Sequence, residues 1–158
     1  MKKALASSLF ILALSVIVPA QSHRQQRENL RGLIGIMVSV EAQNYNGAYE
    51  NIVKSWAEDG LRRAGIKVYR QPYEHVGQLT ISISTKQGTD GAWIYNVSLS
   101  VCEFAQLDRY GKSDTDSAVI TWETGYYGYG SDSHVDRRIA ETEHNLLNQF
   151  IDDYRHVN

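Results

Sequence analysis

Between residues 33 and 42 the apolar side chains fall on alternate positions: Ile34, Ile36, Val38 and Val40 share one side, and Gly35, Met37 and Ser39 the other. A period of two is that of a strand with one buried face. After Asn46 the period lengthens. Tyr49, Ile52, Val53, Trp56, Ala57, Leu61 and Ala64 recur at spacings of three and four, the stripe of an amphipathic helix that Asn46 can cap and Gly65 can end. A short strand, IKVY, follows at 66–69 and is closed by Pro72, which cannot donate to a sheet ladder.

Alternation then returns. LTISISTK (79–86) and the run from Trp93 to Leu107 flank the turn-forming QGTDG and predict a hairpin in which Trp93, Tyr95, Val97, Leu99 and Val101 share a face. A polar stretch, DRYGKSDTDS (108–117), predicts a loop, and AVITWET (118–124) a last strand. Ser131, Asp132 and Ser133 offer N-caps for a closing helix marked by Val135, Ile139, Leu146, Leu147, Phe150, Ile151 and Tyr154. The expected order is β-α-β-β-β-β-α. Strands with one polar face and helices with one apolar stripe predict an α+β two-layer sandwich: about five mostly antiparallel or mixed strands, with two helices on one face. The other face is left open and rich in hydroxyl and amide groups: Ser39, Thr80, Ser82, Ser84, Asn96, Ser98 and Ser100.

Residues 1–20, MKKALASSLFILALSVIVPA, follow a different plan: a basic start, an uncharged apolar run and a small-residue end at Val18-Pro19-Ala20. That is the pattern of a cleavable secretory signal peptide, cut near Ala20, and the apolar run of about fifteen residues is short of the roughly twenty that span a bilayer. The polar segment 21–30 predicts a flexible leader, and 31–158 a single α+β domain. Export places the protein in the periplasm or the medium, with no membrane insertion after cleavage. Loss of Lys2 and Lys3 leaves 14 basic against 18 acidic residues, a net charge of −4, which argues against nucleic acid as a partner. Cys102 is the single cysteine, so no intramolecular disulfide forms, and its strand-like surroundings make it a small buried or half-buried residue rather than a nucleophile.

No motif specifies a reaction. His134 and His144 are ten apart, and His144 with Glu141 makes a common helical pair, too little for a zinc site. Asp108, Asp114 and Asp116 lack the glycine and the terminal Glu of a calcium-binding EF-hand loop. GYYGYGSD precedes a helix but lacks the lysine and spacing of a phosphate loop. Neither catalytic residues, metal nor cofactor are therefore assigned.

The segments LRGLIGIMVSVEA, LRRAGIKVY, YNVSLSVCEFAQL, TWETGYYG and QFIDDYRHVN, in that order, resemble a loose group of small secreted bacterial proteins of unknown function. The likeness covers nearly all of the chain after the signal and rests on core and turn residues, so it implies the fold and export and no activity. In element order alone the chain is similar to small α/β domains of cell-envelope assembly factors, such as the N-terminal domain of the Tol system's β-propeller protein.

One stretch stands out as a recognition element: TWETGYYGYG, residues 121–130, where tyrosines supply contact area and glycines permit close approach. Trp122, Glu123, Tyr126, Tyr127 and Tyr129 are the candidate partner-binding residues, within a Tyr/Gly loop that would bind an envelope protein or a glycan. The bland alternative has the tyrosines covering the edge of the core. The leading expectation is a non-enzymatic periplasmic binding or assembly-accessory module. A small hydrolase using Glu123, Asp114, Asp116 or His134, and a structural protein self-associating through an edge strand, are the alternatives.

Overall fold

The computed structural model describes residues 22–44, 47–109, 112–131 and 134–158, with side chains described outside 104–109 and 112–117. The signal peptide expected at 1–20, and Asn46 as a helix cap, lie outside the described residues. The elements are α1 (His23–Glu28), β1 (Gly35–Gln43), α2 (Gly47–Arg63), β2 (Val68–Tyr69), β3 (Val76–Gln87), β4 (Trp93–Arg109), β5 (Lys112–Gly130) and α3 (Val135–Val157). Five strands form one mixed sheet in the order β2-β1-β3-β4-β5. β1 runs parallel to β2 and β3, and β3, β4 and β5 are successive antiparallel neighbours. This is the α+β sandwich that the hydrophobic pattern predicts.

Alternation divides the sheet cleanly. Ile36 and Val38 of β1, Leu79, Ile81 and Ile83 of β3, Tyr95, Val97, Leu99 and Val101 of β4, and Trp122 of β5 are buried on one face. There they form a single core with Val53, Ala57 and Leu61 of α2 and with Ile139, Leu147 and Phe150 of α3. At about 25 cal/mol per Å² of apolar surface removed from water, this shared core is what holds the two layers together. α2 ends as its sequence predicts: Gly65 takes φ +81°, and the Ile66 and Gly65 amides donate to the Leu61 and Arg62 carbonyls in a Schellman turn.

Three expectations are corrected. The leader is not a featureless extension, because residues 23–28 form α1, capped by Ser22, whose hydroxyl accepts from the Gln25 amide at 3.3 Å. It is held at its end by Leu30, which is fully buried, an apolar anchor closing a polar tract. The loop expected at 108–117 is instead strand on both sides of residues 110–111, a continuation of the β4–β5 ladder past irregularities at Val101/Cys102 and Ala105/Leu107. Finally, α3 begins after His134, whose side chain makes no cap hydrogen bond, while Asp132 and Ser133 lie outside the described residues.

The end of α3 is tied to the segment between α1 and β1. Asn158 Oδ1 accepts from the Gly32 amide at 2.8 Å and its Nδ2 donates to the Leu30 carbonyl at 2.8 Å, while the Tyr154 hydroxyl donates to the Leu33 carbonyl at 2.6 Å.

Candidate binding surface on the last strand

TWETGYYGYG is strand, not loop. It is the second half of β5, the edge strand of the sheet, in register with β4 from Trp122↔Val101 to Gly130↔Trp93. Because successive strand residues point to opposite faces, the ladder sorts the tyrosines and glycines into two environments. Trp122, Thr124, Tyr126 and Gly128 face the helices. Glu123, Gly125, Tyr127 and Tyr129 face the open side.

On the helix side, Trp122 is buried to 1% exposure and belongs to the core. Its indole N–H donates to Asp153 Oδ2 at 3.0 Å, and its ring meets Phe150 edge-on with centroids 5.2 Å apart. Trp122 is therefore withdrawn from any partner, a correction to its expected role. An indole N–H that must be satisfied when buried explains why a carboxylate stands beneath it. Asp153 is also met by His23 Nε2 of α1 at 3.0 Å, so α1 is docked through a charged atom that the core already needs. Tyr126 lies at the border, where with Tyr95, Arg137, Arg138, Glu141 and Asn145 it lines a cleft of about 410 Å³ against the first turns of α3. Gly128 is required here: the Tyr95 ring lies across it, and a Cβ at 128 would stand inside that ring.

On the open side, Tyr127 is 77% exposed and Tyr129 64%. Tyr129 stands opposite Ile94, itself 53% exposed, and Tyr127 opposite Asn96. Beyond them runs the hydroxyl and amide field expected from the pattern, all of it half-buried: Ser84, Asn96, Ser98, Ser100, Ser82 and Thr80. Part of it is internally bonded, with Ser39 Oγ 2.9 Å from Thr80 Oγ1 and Gln78 Nε2 donating to Ser39 Oγ at 3.1 Å. Asn96 Oδ1 is buried and has no hydrogen-bond partner. Glu123 faces the same side opposite Ser100, and its charge, after burial itself, helps push the half-buried Cys102 thiol above its usual range.

The five candidate residues thus do not form one site. Tyr127 and Tyr129 share a face with Glu123, Tyr126 lines a separate cleft, and Trp122 is core.

The acid and histidine set of a hydrolase is not assembled either. Asp114, opposite Leu107, and Glu123 are nine residues apart on one strand, roughly 30 Å at about 3.3 Å per residue, and His134 follows the strand's far end. Groups that share a proton must be within hydrogen-bond reach. Glu141 and His144 also separate: Glu141 faces Tyr126 and lies 3.8 Å from Arg137, whereas His144 packs on Trp56 of α2 with ring centroids 5.8 Å apart. Among the described residues no three His, Cys, Asp or Glu side chains come together as a metal site would require, and no helix is long and apolar enough to cross a membrane.

Two acids escape the pattern reading. Asp153 and Glu143 are each 5% exposed, and both lie on the apolar side of α3. Their sequence signal was present: Glu143 falls midway between Ile139 and Leu147 at helical spacing, where an apolar residue belongs. The Tyr49 hydroxyl donates to Glu143 Oε1 at 2.9 Å, and burial pushes the carboxyl up to about 7 against that hydrogen bond.

No protein-family model and no curated protein matches the sequence. Among solved structures the chain is similar to a dodecameric PelC variant from Paraburkholderia phytofirmans, at 18% identity and a TM-score of 0.40, over 74% of this chain and 85% of that one.

Proposed function

We propose that the protein is an exported, non-enzymatic binding module whose partner, an envelope protein or a glycan, is met on the open face of β4 and β5. The observation that carries this reading is the pairing of Tyr127 and Tyr129, 77% and 64% exposed, with Ile94, 53% exposed, on adjacent strands. Three large side chains side by side in water, next to a field of hydroxyls, have the composition of a recognition surface and no part in the core. Export is supported by residues 1–20, whose basic start, apolar run and Val18-Pro19-Ala20 end fit a cleavable signal.

The test is a photo-crosslinking residue at Tyr127 or Tyr129 in the native host, with the captured species identified by mass spectrometry and a matched probe on the exposed face of α3 as the control. A recurrent protein or glycan from the strand sites alone supports the reading. Equal capture from both faces, or none, removes it. With the probe moved to exposed Ile94 on the same face, replacing both tyrosines by serine should abolish capture while leaving stability within about 0.5 kcal/mol, as expected of exposed positions.

A second reading, self-association, is favoured by the length of β5, 19 residues on the edge of the sheet. Edge strands present unpaired backbone groups to other chains. Sedimentation that finds a monomer at all accessible concentrations would remove it.

A further inference from the structure

α2 and α3 meet across a cleft of about 330 Å³, walled by Tyr49, Ile52 and Trp56 on one side and by Ala140, Glu143 and His144 on the other. Its lining is apolar and aromatic except for one acid and one histidine. Such a volume lies at the lower end of the roughly 300–1,000 Å³ typical of small-molecule sites, and a few placed polar groups in apolar walls are what fix a ligand's orientation. Glu143 is the placed group. It is 5% exposed, it is held by the Tyr49 hydroxyl at one oxygen, and no basic side chain among the described residues pairs with it.

We propose that this cleft binds a small organic amine in its protonated form, the ammonium on Glu143 and an apolar ring or chain between Trp56, Tyr49 and Ile52. The chemistry is complementary at both ends. A buried carboxylate without a counter-charge is disfavoured, and a cation that accompanies it into the cleft removes that penalty. Indole and phenol faces attract the same cation through their quadrupoles, while the apolar wall takes the rest of the molecule. A neutral alcohol of equal shape gains only the second contribution, and a carboxylic acid meets repulsion. The titratable groups facing Glu143 are Tyr49 from α2 and His144 from α3, and a protonated His144 would repel the ligand as loss of the Glu143 charge would.

The test uses benzylamine, benzyl alcohol and benzoate as probes, titrated into the full chain and followed by amide shifts in an ¹H–¹⁵N spectrum. The expected result is saturable binding of benzylamine with shifts confined to the cleft-facing turns of α2 and α3, about tenfold or more tighter than benzyl alcohol, and weakening about tenfold between pH 8 and 5.5. Glu143→Gln keeps the shape and an acceptor for Tyr49, and should bring amine and alcohol to equal affinity. Ala140→Leu fills the cleft while leaving the Glu143 carboxyl in the chain and should abolish binding of both. Equal affinity of amine and alcohol in the unaltered protein overturns the proposal, as do shifts elsewhere in the fold, absence of saturation, or unaltered amine binding by Glu143→Gln.

Discussion

Replacing Glu143 by glutamine should make the protein more stable at neutral and alkaline pH and leave it nearly unchanged in acid. The carboxyl ionises near 4.5 in an unfolded chain and at about 7 in the folded one, because burial disfavours its charged form more than the Tyr49 hydrogen bond favours it. Below 4.5 both states hold the proton and the residue costs nothing. From 4.5 to about 7 the folded state alone keeps it, so stability falls as pH rises, and above 7 the loss is complete. A gap of about 2.5 in pKa at 1.36 kcal/mol each amounts to about 3 kcal/mol, a large part of the 5–15 kcal/mol typical of a whole domain.

Glutamine carries no charge to desolvate and still accepts from Tyr49, and every other titratable group is common to both proteins and cancels in the difference. Urea unfolding followed by far-ultraviolet circular dichroism at half-unit steps from pH 4.5 to 8.5 gives the two stability curves, with equal m-values as the condition for comparing them. The variant should gain on the parent steadily between pH 5 and 7 and hold a lead of about 3 kcal/mol beyond. A lead that does not change with pH would refute the reasoning, since it would mean that Glu143 ionises in the fold as freely as in the unfolded chain.

Further outcomes follow from other contacts. Tyr49→Phe removes the hydrogen bond that favours the Glu143 carboxylate, so the midpoint of the pH-dependent loss should move above 7, as read from the same unfolding series. Gly128→Ala forces the Tyr95 ring out of its place over the strand and should cost about 1–3 kcal/mol by thermal melting, the usual range for an overpacked core. Trp122→Phe deprives Asp153 of the indole donor and should cost about 1–3 kcal/mol in the same assay, with hydrogen exchange rising first in α1, which shares that carboxylate through His23. Cys102 should react with maleimide at pH 8 more slowly than an exposed thiol. Glu123→Gln should speed it, because removal of the negative charge lowers the thiol pKa.

The fold was legible where burial imposes a period. The alternation of Ile36 and Val38, of Leu79 to Ile83, and of Tyr95 to Val101 named the buried face of each strand, and the stripe from Val53 to Leu61 named that of α2. Pairing order was not legible, because period two says which face is buried and nothing about which strand lies alongside; the parallel β1–β3 neighbours are non-consecutive in sequence. Polar stretches misled in two places for related reasons. Residues 23–28 are held by His23 and by Leu30 just beyond them, and strand at 108–109 and 112–117 is sustained by the pairing of β4 with β5.

The candidate site was half legible. Composition singled out 121–130, but glycine content argued for a loop, whereas Gly128 serves a strand by making room for Tyr95. Once the segment is strand, alternation alone separates Trp122 and Tyr126 from Tyr127 and Tyr129. Glu143 was missed because an acid in an apolar stripe is passed over when only the apolar residues are counted.

The two margins of the sheet are unequal. β2 is two residues long and β5 nineteen, and they lie at opposite edges. Asn29 already occupies the Thr121 carbonyl at 2.9 Å, midway along β5 and next to the stretch that carries the tyrosines. β2 pairs with only Ile36 and Met37 of β1, so the margin opposite β5 is made partly of β2 and partly of the rest of β1. Two copies joined β5 to β5 would use up both β5 edges at once. If this edge is used for association, a symmetric β5-to-β5 pair is the arrangement that encloses both nineteen-residue strands in one contact.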